Sequence, residues 1–434
     1  MNRQPAADEN ETRRPLDANA EAVSANPEAA AANAESAYAW LRMLAALTLS
    51  TIGGVGMWSV VVVLPAVQAE FGVSRADASL PYTLTMICFG LAGIGMGRLS
   101  DRFGIVVPLV VGAGALLVGY VVAASATSIW QFALVQGLLI GAGSSATFAP
   151  LMADVSQWFT RRRGMAVGIF ASGNYLSGAT WPALIQHFID SVGWRQTYVG
   201  IGLFCVVTML PLALALRRRP PALEVVAAHA HAALRSVPPL GLSPNALQAC
   251  LVVAGLGCCV AMSMPQVHIV AYCSDLGYGP ARGAQMLSLM LVCGIVSRLS
   301  FGWISDRIGG LRTLLLGSGL QALALLLFLP FDGLVSLYLI AALFGLFQGG
   351  IVPSYAIIVR EYFPPQEAGA RVAVVLTATL FGMALGGWMS GAIFDLTGSY
   401  RAAFVNGLLW NLVNLTLATW LLRRATRRLM PVPA

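Results

Sequence analysis

Long apolar stretches separated by short charged turns dominate this chain. Twelve of them lie near residues 40–67, 79–97, 105–126, 128–156, 165–189, 195–215, 246–272, 284–303, 312–330, 334–359, 372–395 and 401–422. Each suffices to cross a hydrocarbon layer as a helix, and a soluble core cannot easily absorb so many. Those well above 20 residues must tilt or project beyond the lipid. The pattern predicts an all-α membrane protein of twelve transmembrane helices.

One phrase punctuates the pattern twice. Gly97-Arg98-Leu99-Ser100-Asp101-Arg102-Phe103-Gly104 returns 205 residues later as Gly302-Trp303-Ile304-Ser305-Asp306-Arg307-Ile308-Gly309, with five of eight positions identical. Trp158-Phe159 is answered by Tyr362-Phe363 at a spacing of 204. A repeat of half the chain length predicts two pseudo-symmetric six-helix bundles. The expected divisions are a disordered polar tail over 1–38, a first bundle over 39–215, a central loop over 216–245, a second bundle over 246–422 and a tail over 423–434.

Composition agrees. Of 434 residues, 57% are hydrophobic and 10% charged, where a soluble domain carries about a quarter charged. All 26 basic residues are Arg. Seventeen arginines fall in one alternating set of loops and the last tail, among them Arg98, Arg102, Arg161–Arg163, Arg217–Arg219, Arg307 and Arg371; four (Arg75, Arg195, Arg282, Arg401) fall in the other. The positive-inside rule makes the first set cytoplasmic, and an even number of spans puts both termini there. The net charge of +7 is thus a topology signal and not a nucleic-acid footprint. No signal-peptide pattern precedes the first run, which would itself direct insertion. The expected location is a bacterial-type inner membrane.

The seven cysteines show no metal-ligand spacing and read as small buried hydrophobes. His229 and His231 sit in the central loop and read as solvated. No metal or cofactor is expected. Without Lys there is no phosphate loop, and no H-E-x-x-H or serine elbow appears, so the chain does not read as an enzyme.

The duplicated G-x-x-x-D-R-x-G turn after helices 2 and 8, with twelve helices and a long central loop, resembles the major facilitator superfamily. Finer features resemble its monocarboxylate transporter and oxalate:formate antiporter group. These are Phe159-Thr160-Arg161-Arg162-Arg163-Gly164 entering helix 5, Val267-His268-Ile269-Val270-Ala271-Tyr272 in helix 7, Arg298 before Leu299-Ser300-Phe301-Gly302, Pro150, and Pro353-Ser354-Tyr355. The resemblance implies alternating access about a site between the halves, with Arg298 binding substrate. There are departures. Gly294 stands where the animal transporters carry an Asp, no Lys exists for helix 1, and Thr379 stands where the oxalate exchanger type has a Lys. A dicarboxylate needing two cations is thereby disfavoured.

The candidate site residues follow. Arg298 has a planar fork suited to a carboxylate, although it could instead snorkel to an interface. Its counterpart in the first half is Gly93. His268 titrates in the range of a proton carrier, or packs through a hydrogen bond. Tyr355, Ser354, Thr147, Asn174, Tyr175 and Tyr82 could finish the cavity or bond between helices. The repeated turns read as a gate. With the cytoplasmic side shut, and only then, Asp101 would sit at the start of helix 11 and Asp306 at the start of helix 5, with Arg102 or Arg98 pairing Asp154 and Arg307 near Glu361. Gly53, Gly54 and Gly56 mark helix 1 as either flexible or closely packed.

The expected function is secondary active transport of small organic monocarboxylates such as lactate or pyruvate, coupled to protons, by a monomer in the bilayer. The rivals are organic-anion exchange, drug or metabolite efflux, and a transport-dead membrane receptor or sensor.

Overall fold

The computed structural model describes residues 36–159, 163–218 and 241–429. The tail over 1–35, Arg161 and Arg162, most of the central loop and residues 430–434 lie outside the described residues, as do the expectations made for them. The regular structure is helical throughout these residues. The first six rods are α1 (Ala37–Phe71), α2 (Arg75–Phe103), α3 (Val106–Ala124), α4 (Ile129–Gln157), α5 (Arg163–Ala171 and Gly173–Val192) and α6 (Trp194–Ala215). The last six are α7 (Pro244–Asp275), α8 (Pro280–Ile308), α9 (Gly310–Leu327), α10 (Leu334–Tyr362), α11 (Pro365–Thr397) and α12 (Tyr400–Leu429). All but α5 contain a window long and apolar enough to cross a membrane. The outward surface is apolar as lipid demands: Leu138, Val207, Leu339 and Leu409 are all more than half exposed.

Local chemistry sets the rod ends. The side chains of Ser36, Ser74, Ser128 and Ser243 each accept a hydrogen bond from the N–H three residues on, which caps α1, α2, α4 and α7. The repeated turn is tight for a shared reason. Gly104 and Gly309, closing its two copies, have φ of 84° and 81°, a region side chains avoid. Their N–H groups bond back to Ser100 and Ser305. The identical glycines of the sequence repeat are therefore the same backbone hinge used twice.

Several rods are interrupted, which the apolar pattern does not reveal. α1 breaks at Gly54, α4 at residues 146–148, α5 at Ser172 and α10 at Gly349 and Gly350. The glycines of α1 are packing residues. A Cβ on Gly53 or Gly56 would lie within 2.3 Å of the side chains of Thr147 or Ser144, so α1 is pressed onto α4.

α1–α6 and α7–α12 form two bundles. Across them α2 packs along α11 and α5 along α8. These cross contacts run from the face opposite the charged turns (the far face) to mid-depth. Gly391 meets Arg75 and Ser79, Gly387 meets Tyr82, Thr83 donates to the Ala384 carbonyl at 3.1 Å, and Gly90 meets Leu380. Toward the turns they stop. Gly95, Gly97, Gly168 and Gly302 face open space, and Asp101, Arg102, Asp306 and Arg307 are exposed. The molecule is closed at the far face and open at the turn face.

Candidate functional site

Charge inside a membrane protein is costly, so each buried ionic group demands an account. At the turn face, Arg42 and Asp154 are 3% and 6% exposed. Arg42 donates to both carboxylate oxygens of Asp154 at 2.9 Å, to the Leu216 carbonyl at 2.9 Å, and lies over Trp158. One guanidinium thus ties α1 to α4 and the end of α6. Asp154, expected to pair with Arg102 or Arg98 when the turn side is shut, is held in this open state by Arg42 of the adjacent α1. Arg98 and Arg102 are exposed, and Arg102 lies over Phe103. Glu361 does not pair with Arg307. It accepts the Gly310 N–H at 2.9 Å at the positive end of α9, while Arg307 folds back over Trp303. Among the described residues, Asp101 and Asp306 have no partner in the opposite bundle, because the turn ends are splayed apart.

At the far face the ionic group is Arg75. Its Nη2 donates to both oxygens of Asp275 at 3.1 Å and its Nη1 to the Tyr400 hydroxyl at 3.0 Å. The backbone N–H groups of Arg75 and Ala76 donate to Asp395 at 2.8 and 2.7 Å. Arg75 belongs to the first bundle and all its carboxylate partners to the second. This strut holds the far face shut. The sequence marked Arg75 only as a loop arginine and did not single out Asp275, Asp395 or Tyr400.

At mid-depth stands Arg298, eighteen residues into α8. Among the described residues no carboxylate pairs with it. Its Nη1 donates to the carbonyl of Ala171 at 2.7 Å and its Nε to that of Gly349 at 3.4 Å. Ala171 ends the first segment of α5, and Gly349 sits in the break of α10. Its guanidinium lies over the Tyr175 ring, 4.5 Å from the centroid, and Gly294 gives that ring room. Arg298 therefore bridges helix breaks in opposite bundles, on the side where the contacts between them give way toward the open turn face. Buried polar atoms without partners occur on the same stretches of α1, α5, α8 and α10: Asn174 Oδ1, Ser177 Oγ, Ser297 Oγ, Gln348 Nε2 and Trp58 Nε1. Three of these belong to chain neighbours of Tyr175, Arg298 and Gly349. A cation short of a counter-charge, held by two backbone carbonyls and an aromatic ring, is suited to receive a small anion.

The other expected cavity residues lie elsewhere. Tyr355 is buried in the second bundle and donates to Asn414 Oδ1 at 2.9 Å. Ser354 bonds the Gly350 carbonyl of its own helix, and Thr147 bonds the Ser144 carbonyl while packing on Gly53. Tyr82 packs on Gly387 toward the far face. His268 lies seven residues from the far end of α7, fully buried, with both ring nitrogens bonded, and does not face Arg298. These side chains found partners within the helix packing. Of the expected set, Arg298 and the neighbourhood of Asn174 come together, with Tyr175 supplying the ring.

The sequence model of the Major Facilitator Superfamily matches residues 46–342 and 301–433, and the chain belongs to that family. It is 28% identical over 315 residues to a bovine protein named monocarboxylate transporter 13, 71% of each chain being covered. It is 25% identical over 358 residues to human monocarboxylate transporter 12, covering 74% of this chain and 67% of that one. A relative from Paecilomyces divaricatus, 24% identical over 338 residues, is named agnestins efflux protein; 77% of this chain and 76% of that one are covered. Among solved structures, an inward-facing bacterial homologue of the human lysosomal transporter Spinster superposes with a TM-score of 0.67 at 14% identity. It covers 91% of this chain and 97% of that one. The nucleoside transporter NupG gives the same TM-score over 88% and 99% of the two chains. The protein is a transporter of the major facilitator fold and not an enzyme.

Proposed function

We propose that this transporter carries small organic monocarboxylates together with protons, by alternating access, and that Arg298 receives the carboxylate. The observation that carries the reading is the Arg298 arrangement: one mid-depth guanidinium with no acidic partner among the described residues, reaching both bundles. One such cation neutralises one carboxylate, and a proton carried with it removes the remaining charge from the translocated load. The monocarboxylate transporter names of its relatives support the substrate class. The charged turns lie on the cytoplasmic side by their arginine content, with both termini inside and the far face external. In this orientation the observed state is inward-open. Outward opening would break the Arg75 strut and bring Asp101 and Asp306 against the starts of α11 and α5.

The test is uptake of labelled lactate and pyruvate into proteoliposomes, with and without an inward proton gradient. The wild type should accumulate substrate only with the gradient, and Arg298→Ala should lose at least about 2 kcal/mol of carboxylate recognition, some thirtyfold in uptake efficiency. Unchanged carboxylate uptake in Arg298→Ala would refute the anchor. The efflux name of one relative favours a second reading, export of a larger metabolite. Under it, apolar metabolites would be carried independently of Arg298.

A further inference from the structure

The Arg75 strut ends on a histidine. His268 Nε2 lies 2.8 Å from the Gly387 carbonyl of α11, and Nδ1 lies 3.2 Å from the Tyr400 hydroxyl. A carbonyl only accepts, so Nε2 carries the ring proton and donates to Gly387. Nδ1 of the neutral ring then accepts from the Tyr400 O–H. The Tyr400 oxygen in turn accepts from Arg75 Nη1 at 3.0 Å. Each proton in this chain has one acceptor, and the neutral histidine completes it.

A second proton on the ring breaks the order. Nδ1–H must donate to the Tyr400 oxygen, so the hydroxyl proton loses its acceptor. Imidazolium and guanidinium then face each other across one hydroxyl. We propose that His268 binds the coupling proton, and that its protonation from outside detaches Arg75 from Tyr400 and releases the external gate. The assignment rests on the proton-symport reading and on the far face being external. It gives His268 a role in coupling and none in touching substrate.

The surroundings suit this role. A cleft of about 360 Å³ between the ends of α1 and α7 is lined by Gln68, Gly72, Arg75, Ser274 and Asp275, and leads from the far face to the strut. The charged and titratable groups of the strut that the histidine joins through Tyr400 are Arg75 from α2, Asp395 from α11, Tyr400 from α12, and Asp275 and Tyr272 from its own helix. Tyr82 of α2 packs on the Gly387 that accepts from it. α8 packs nearby through Gly283 and Met286, its Arg282 being bonded to Gln285 at the surface. Between Gly54 and Gln68, α1 carries no ionisable residue. Two aspartates against one guanidinium leave one negative charge, which a proton on His268 balances.

Ser79 reports the gate. It is buried against Gly391 of α11, beneath Arg75, and meets external solvent when α2 and α11 part. Ser79→Cys is placed in the full chain with the seven native cysteines replaced, reconstituted in liposomes without substrate, and labelled with a membrane-impermeant maleimide. Rates are normalised to Thr127→Cys, an exposed far-face position. Between pH of about 7.5 and about 5.5, normalised labelling should rise about tenfold with His268 present. It should stay flat in His268→Gln, which keeps a donor for Gly387 and an acceptor for Tyr400 but takes up no proton. It should also stay flat in Tyr400→Phe, which severs the chain while sparing Arg75–Asp275.

A pH response that survives in either variant, or is missing in the parent, overturns the assignment. Uptake driven by a proton gradient is measured in the same liposomes. Its absence alongside a His268-dependent labelling response would refute symport and leave the histidine gate standing. Its presence alongside a response indifferent to His268 would place the coupling proton elsewhere.

Discussion

Replacing Asp154 with leucine would strand Arg42 in the packed end of the first bundle. The pair is buried on both sides, doubly hydrogen-bonded at 2.9 Å, and its guanidinium also serves the Leu216 carbonyl. Removing one member of such a pair leaves an uncompensated charge, at a cost of about 3–5 kcal/mol. Replacing both members with apolar residues of similar size is close to neutral for the ion pair itself. It still leaves the Leu216 carbonyl without its donor, at about 1–3 kcal/mol. The Arg42→Met/Asp154→Leu double variant should therefore be more stable than Asp154→Leu alone. Unfolding of the purified protein by stepwise addition of SDS, followed by tryptophan fluorescence, measures all three. Arg102→Gln is the control. Arg102 is exposed in this state, and its loss should change stability by less than about 0.5 kcal/mol. A cost below about 1 kcal/mol for Asp154→Leu, or a double variant no better than the single, would refute the reasoning.

Two further outcomes test the packing and the corrected site. A Cβ on Gly345 would stand 2.0 Å from the Met290 carbonyl, so Gly345→Ala should force α8 and α10 apart and cost about 1–3 kcal/mol in the same SDS assay. Gly319→Ala, facing open space, should be neutral or stabilising. Tyr355→Phe removes the donor to Asn414 and should cost about 1–2 kcal/mol of stability, while the KM for carboxylate uptake stays within twofold.

The helices and the half-length repeat were legible because they are written in contiguous residues. Apolar runs announce each span, and the same glycine-closed turn appears twice at one spacing. Arg298 was legible as well, since an intramembrane arginine carries its own energetic warning. What the chain hides is long-range partnership. The far-face strut joins residues 75, 275, 395 and 400, and no local pattern distinguishes Asp275 or Asp395 from any helix-end acid. Asp154 was read with Arg102 or Arg98, which share its membrane face, whereas α1 supplies Arg42 in this state. His268 was recognised as unusual, but its place beside Tyr400 depends on how α7 meets α12. The break at Ser172 was equally silent, because its effect is to free a backbone carbonyl and not a side chain.

That freed carbonyl changes what a substrate must accomplish. The Ala171 and Gly349 oxygens that Arg298 holds would compete with the carboxylate proposed for it. On that proposal an incoming anion would have to displace them, so its apparent affinity would be its contact energy less that of two backbone hydrogen bonds. A full negative charge wins such a contest, because charge-assisted bonds outweigh those to neutral carbonyls. A neutral solute offers Arg298 nothing the backbone does not already supply. The same displacement cuts a link between α5 and α10, which belong to opposite bundles. If Arg298 receives the anion, selection of the solute and loosening of the frame are a single molecular event.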